Sequence, residues 1–290
     1  MSGPSVGLRA PGALEAIEAS ARARPPRRLG VGKIGSWIIF LAGVIYFILP
    51  LVTTIAFSLR LQPFGQAYAN VINKDPKFAS SLIYSGFIGI LTIVISTLLI
   101  VPTAYWVRLR LPRIRPYVEF VTLLPFVIPP VILVFALLRA FSGGPVPLTT
   151  SDEGLNVMVV AAYVILSFPY MYRAIDSGLR AIDIRTLTEA AQSMGAGWGR
   201  ILWAVILPNL RVALISGAFL TLAIVIGEYT IASFLVRPAF GPYLSLLGHD
   251  RAFEPAAVSI ISFGLTWMAM GIIALLGRGS RQSVQVAGAR

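Results

Sequence analysis

Six stretches of this chain are too long and too apolar to fit any soluble core. They are residues 34–57, 82–107, 120–138, 155–172, 212–236 and 256–277. Each is close to the roughly 20 residues needed to cross a bilayer as a helix. Inside a membrane every backbone N–H and C=O must be bonded within the protein, so apolar runs of this kind become helices. The expectation is an all-α integral membrane protein with six transmembrane helices. Charge supports it: 12% of residues are charged, about half the share usual in a soluble domain. The fourth run is the shortest. The third carries Pro125, Pro129 and Pro130 and is expected to kink or unwind locally. Pro129-Pro130 is read either as a break along a solute pathway or as a structural kink.

The net charge of +12 would in a soluble chain point to nucleic acid. Here the basic residues stand at the ends of the apolar runs, so lipid is the expected partner and nucleic acid is not. With the N-terminus inside, 18 of the 24 Lys and Arg residues fall on segments facing the cytoplasm. This positive-inside bias puts both termini and the long segment 173–211 in the cytoplasm. Three regions follow. Residues 1–33 form a polar N-terminal tail with Pro25-Pro26, either a short surface helix over 13–24 or disordered, and not a cleavable signal peptide. Residues 34–277 are the transmembrane domain, and 278–290 a C-terminal tail. The absence of Cys and the single His249 exclude disulfides, thiolate sites and a His-based metal cluster within the chain, so no metal site is expected.

The cytoplasmic stretch over about 186–208 is the most structured piece between spans. Thr186, followed three residues later by Glu189, has capping-box spacing and predicts a helix beginning near Leu187. Ala190 and Ala191 keep one face thin, so that another protein can approach. Gly195 ends the helix because glycine accepts the left-handed C′ position. A second amphipathic segment runs from Trp198 to Ile206, and Pro208 breaks it before the next span. From these residues alone, the stretch is either a docking helix or an ordinary helical loop.

The register Glu189-Ala190-Ala191, three residues, Gly195, nine residues, then Val205-Ile206-Leu207-Pro208 resembles the EAA loop in permease subunits of binding-protein-dependent type I ABC importers. With the layout of spans, the resemblance covers most of 34–277. It implies that Glu189, Ala190, Ala191, Gly195, Leu207 and Pro208 couple the chain to a separate cytoplasmic ATPase. ATP and Mg would bind to that ATPase, and this chain would carry no cofactor and no catalytic residue. It further implies a second permease subunit, identical or sister, an extracytoplasmic solute-binding protein, and a bacterial inner-membrane location. No second such loop, no internal repeat and no phosphate-binding Gly-Lys-Ser/Thr loop is present in the sequence, in keeping with one non-enzymatic permease unit.

Glu228 is the one charged residue deep within a predicted span, where a carboxylate is costly. It has three candidate roles: a contact for a cationic solute, a gate paired with an Arg or Tyr, or a buried structural acid. Gly227-Glu228-Tyr229 resembles a branch of the family that carries polyamines, ferric iron, thiamine or phosphonates. On that resemblance the solute is expected to be polyamine-like, with Glu228, Tyr229, Pro129 and Pro130 on its pathway. Tyr163, Phe168, Tyr170, Phe234 and Trp267 lie at similar depths and read first as packing and interfacial aromatics. The competing class is an ion-gradient-driven secondary transporter using Glu228. Small residues in the second and fifth runs (Ser85, Gly89, Ser96, Ser216, Gly217) predict close helix packing. Asp176 and Arg180 read as a weak exposed i,i+4 pair. His249, Asp250, Arg251 and Glu254 read as an external solvated loop.

Overall fold

The computed structural model describes residues 32–143 and 147–278. Apart from residues 32, 33 and 278, the two predicted tails lie outside the described residues. The chain divides into two units, one up to Thr53 and one from Thr54. The first unit is described by most of helix α1 (Gly32–Ser58). Apolar residues occupy every face of this helix, the pattern of a helix bathed in lipid. It continues through Pro50, and the Thr53 hydroxyl donates to the Pro50 carbonyl at 2.9 Å.

The second unit holds α2 (Gln66–Lys74), α3 (Pro76–Leu109), α4 (Arg115–Val127), α5 (Pro130–Phe141), α6 (Asp152–Arg180), α7 (Ile184–Ser193) and α8 (Trp198–Asn209). It continues with α9 (Arg211–Gly227), α10 (Thr230–Phe234), α11 (Phe240–Asp250) and α12 (Glu254–Arg278). Short 3-10 turns at Pro112–Ile114 and Leu148–Thr150 precede α4 and α6. No strand occurs among the described residues.

Helices α3, α6 and α9 form the centre, and small residues let them meet. A β-carbon on Gly89 of α3 would come within 2.6 Å of Leu222 on α9. One on Gly217 of α9 would come within 2.8 Å of the Met171 sulfur on α6. The hydroxyls of Ser96 and Ser167 meet across α3 and α6 at 2.6 Å. These contacts agree with the packing role expected of the small residues. Around them lie two buried clusters. One joins Tyr105, Ile175 and Leu179 to Ile184, Ala191 and Ile201. The other joins Ile88, Met158, Tyr163 and Val225 to Val134 and Ile231.

Several predicted runs take a different form. Among the described residues, three unbroken helices are long and apolar enough to cross a bilayer: Gly35–Ser58, Pro76–Leu109 and Asp152–Arg180. The third run is broken by 98° between α4 and α5, at Ile128–Pro129. Two consecutive prolines remove two backbone donors, and the first forces Ile128 into an extended conformation. The fifth run stops at Gly227 and resumes as the short α10. A 78° bend separates α8 from α9. If each bent pair counts as one span, the total is five, and the sixth run, helical over Glu254–Arg278, is not among them. The fourth run is longer than predicted and continues through Pro169 to Arg180. The supposed loop before the sixth run is the helix α11. It buries Phe240, Tyr243 and Leu247, and its Phe240 N–H donates to the buried Ser85 hydroxyl at 2.8 Å.

Candidate functional site

Helix α7 begins one turn earlier than capping-box spacing suggested. Asp183, not Thr186, is the N-cap: its carboxylate accepts from the Thr186 N–H at 3.2 Å and the Thr186 hydroxyl at 2.7 Å. Those two bonds, the hydroxyl's first, hold the Asp183 carboxyl below the usual carboxylate range. Glu189 is then a mid-helix residue and pairs with Arg185 at 3.0 Å. The helix ends at Gly195, whose φ is +77°. The Gly195 N–H donates to Gln192 O at 2.9 Å and the Ala196 N–H to Ala191 O at 3.0 Å. This is the paired closure of a Schellman motif.

Burial fixes the orientation of α7. Ile184, Thr188 and Ala191 face the bundle, and Arg185, Glu189, Ala190 and Met194 face away. The expected thin face made of Ala190 and Ala191 does not exist, because consecutive helical residues point about 100° apart. Ala191 is 3% exposed and packs inside the chain, whereas Ala190 looks outward. The inner face is bolted to α3: Tyr105 and Thr188 share a buried hydroxyl pair at 2.9 Å. Beyond Gly195, Trp198 lies against Trp106 with centroids 4.8 Å apart, and the Arg110 guanidinium sits 4.7 Å from the Trp198 ring. Segment Ile201–Ile206 is a π-helical turn, with Ile201, Leu202 and Ile206 buried. The wide turn carries the chain past Pro208, which does not break α8. The bend comes at Leu210, after Leu207 and Pro208 have entered the last turn. Leu207 is half-buried and Pro208 exposed.

Next to α7, Asp176 contradicts its reading as half of a weak surface pair. It is buried, and three guanidinium groups converge on it: Arg180 at 2.6 Å, Arg115 at 3.0 Å and Arg108 at 3.4 Å. Arg115 also bonds Glu119 at 2.8 Å. The clasp ties the end of α3, the start of α4 and the last turns of α6 together. Its partners lie 61 and 68 residues from Asp176 in sequence, so no local pattern reveals it.

Glu228 sits in the gap between α9 and α10. Its carboxylate turns forward and accepts from the Ile231 N–H at 2.9 and 3.0 Å, and from the Ala232 N–H at 3.3 Å. The Tyr163 hydroxyl donates to it at 3.0 Å. Every one of these partners is a donor, so the carboxylate is occupied in closing the start of α10. Of its three candidate roles, this arrangement fits the structural one and the pairing with a Tyr. A β-carbon on Gly241 would fall on the Glu228 carbonyl, so α11 closes over the break. The far end of α10 closes through Arg237 N–H to Ala232 O and Val236 N–H to Ser233 O, with Val236 at φ 53°. Arg237 braces that turn from the Leu235 and Val236 carbonyls to Asp152, which it meets at 2.7 Å. Tyr229 is exposed and borders the cavity around Ser233, Pro242 and His249. Pro129 is exposed and Pro130 half-buried at the α4–α5 break. Phe135 of α5 and Phe234 of α10 lie 5.1 Å apart, so the helices following the two breaks meet. Glu254 is not in a solvated loop: it is buried, accepts from Asn70 at 3.1 Å and faces Arg251. His249 is exposed, and no group of three metal-ligating side chains forms among the described residues.

Residues 97–279 match the family described as binding-protein-dependent transport system inner membrane component. The chain belongs to this family. The match takes in α7, the π turn, Glu228 and the Asp176 clasp. Among relatives of this inner membrane component, FbpB 1 of Haemophilus influenzae, described as a ferric transport system permease, is 26% identical over 64% of this chain and 29% of its own length. The molybdenum transport system permease ModB of Azotobacter vinelandii is 30% identical over 48% of this chain and 64% of its own length. The matched stretch thus spans less than two thirds of either relative. A solved bacterial ABC transporter that imports alginate shares the fold, with TM-score 0.62 and 15% identity over 85% of this chain and 94% of that one. The names of these relatives give no support to a polyamine.

Proposed function

We propose that this chain is a multi-pass permease subunit of an ATP-driven, binding-protein-dependent importer, with α7 as the element that meets its ATPase. The two faces of α7 carry this reading. Ile184, Thr188 and Ala191 are fixed within the chain, while Arg185, Glu189, Ala190 and Met194 stand unburied on the opposite side. Fixed on one side and open on the other, such a helix passes a push from outside directly to α3 through Tyr105–Thr188. ATP and Mg belong to the ATPase, a second permease copy or sister completes the pathway, and a solute-binding protein delivers from outside. Both termini and α7 face the cytoplasm, in line with the positive-inside bias. The solute class follows the relatives' names, ferric iron or an oxyanion such as molybdate. Gradient-driven transport through Glu228 loses its support because that carboxylate is engaged by three donors, the Ile231 and Ala232 N–H groups and the Tyr163 hydroxyl.

The test is co-purification of the tagged chain from its native membrane. An ATP-hydrolysing subunit is expected with the wild type and is lost with Ala190→Trp, on the open face. Ala190→Ser retains it. A chain that comes down alone, or an ATPase that stays bound to Ala190→Trp, refutes the assignment of α7.

A further inference from the structure

Two cavities run along α11 and meet at one pair of residues. The first, of about 470 Å³, has Ser233, Arg237 and His249 in its wall. The second, of about 530 Å³, lies between α9, α11 and α12, with Ser259, Ser262 and Thr266 in its wall. Tyr229 and Ser245 line both, so they stand at the junction of one continuous crevice. Among the described residues, neither wall holds a carboxylate. The Glu228 carboxylate is turned into α10, Asp152 meets Arg237 without lining the crevice, and Asp250 lines a different cavity. What the crevice offers is hydroxyls. Those of Tyr229, Ser245, Ser262 and Thr266 make no hydrogen bond among the described residues, and the Ser233 hydroxyl is buried without one. Only the Ser259 proton is committed, to the Pro255 carbonyl at 2.9 Å.

Depth makes these free hydroxyls informative. From Glu254 to Thr266, α12 spans about 18 Å at 1.5 Å per residue, against a hydrocarbon thickness of about 30 Å. With the start of α12 on the outer side, as the positive-inside bias has it, the crevice leads from the outer face well into the membrane. A hydroxyl turned to lipid there without a partner is costly, so a row of them fits a crevice that holds water and a polar solute. The lining also separates the two solute classes that the relatives' names leave open. A hard cation is held by oxygen ligands, carboxylates foremost, and the wall has none. An oxyanion is held by O–H and N–H donors, which the Tyr and Ser/Thr hydroxyls, Arg237 and His249 provide. We infer that this crevice conducts a small inorganic oxyanion, with the Tyr229 and Ser245 hydroxyls passing it from the outer cavity to the inner one. The inference rests on the importer reading and narrows its solute class.

The test is uptake by cells carrying the complete transporter, with molybdate, sulfate and ferric citrate as probes. Deleting the chain should lower uptake of molybdate or sulfate and leave that of iron unchanged. Tyr229→Phe and Ser245→Ala each remove one donor to an ion and should lower uptake of that oxyanion about tenfold. Ser245→Thr keeps the hydroxyl and should keep most of the uptake. Ser245→Asp sets a like charge at the junction and should abolish it while the ATPase still co-purifies. Tyr229→Phe retains the ring and loses only the hydroxyl, so it decides the matter if Ser245→Asp does not assemble. Loss of iron uptake on deletion, or unchanged uptake of both oxyanions, overturns the proposal. Oxyanion uptake that neither Tyr229→Phe nor Ser245→Ala lowers overturns it as well. Co-purification of the ATPase is read separately, so a transporter that assembles but carries iron would remove the oxyanion and leave the importer assignment standing.

Discussion

Replacing Gly195 separates two reasons for a glycine at the end of α7. The residue sits at φ +77°, and a β-carbon built there meets nothing within 4 Å. Within this chain, then, the cost of a side chain is conformational rather than steric. An L-residue in the left-handed region costs about 1–2 kcal/mol, with Asn nearest to glycine and a β-branched residue furthest. With tenfold per 1.4 kcal/mol, Gly195→Ala should lower the population of the closed helix end about fivefold. Gly195→Val should lower it by about thirtyfold, and Gly195→Asn by only about twofold. Two amides report the closure directly: those of Gly195 and Ala196, which donate to Gln192 O and Ala191 O. Hydrogen exchange of the purified protein should show their protection falling in the order Gly, Asn, Ala, Val. ATPase retention on the tagged permease should follow the same order. If the larger Asn proves worse than Ala in retention while exchange is unchanged, clearance for a partner governs this position. If Ala and Val leave the amides as protected as glycine does, the conformational argument fails outright.

Asp176→Asn leaves three guanidinium groups without their central carboxylate, and should cost about 3 kcal/mol, seen as a lower melting temperature in detergent at unchanged expression; an unchanged melt would mean the clasp is not formed. Thr92 and Thr221 are fully buried, with hydroxyls that find no partner among the described residues, so Thr92→Val and Thr221→Val should leave thermal stability equal or higher. A clear drop in melting temperature would contradict that. Val236→Gly relieves a β-branched residue at φ 53° and should raise stability by about 1–2 kcal/mol, measured by the same melt, with about half that gain for Val236→Ala. Glu228→Gln, which keeps an acceptor for the Ile231 N–H, should melt close to wild type, whereas Glu228→Ala should lose about 1 kcal/mol; equal melts would remove Glu228 from the closure of α10.

What could be read from the sequence was what depends on neighbouring residues. The break at Pro129-Pro130 and the helix stop at Gly195 follow from local backbone restrictions, and both occur. The start of α7 was ambiguous for a local reason: Asp183 and Thr186 each stand three residues before a polar side chain. Asp183 gains both a backbone and a hydroxyl donor from Thr186, and so it takes the cap. The facing of Ala190 and Ala191 depends on helix phase, which is set by the burial of Ile184 and Thr188 against α3 and is absent from the spacing itself. The clasp on Asp176 needs residues from three helices, so the visible i,i+4 partner, Arg180, suggested only its weakest form. Glu228 was visible as an anomaly. Its forward bonds to residues 231 and 232 were hidden because an apolar run conceals where a helix stops and restarts.

The two faces of α7 answer to different constraints over evolutionary time. Ile184, Thr188 and Ala191 can drift only in step with Tyr105 and Ile201 of the same gene. Arg185, Glu189, Ala190 and Met194 are free to change with whatever gene encodes the surface opposite them. Ten residues of helix therefore carry two separate records of descent, offset by one position. A change of partner in this lineage would be written on the outer record while the inner one stayed still.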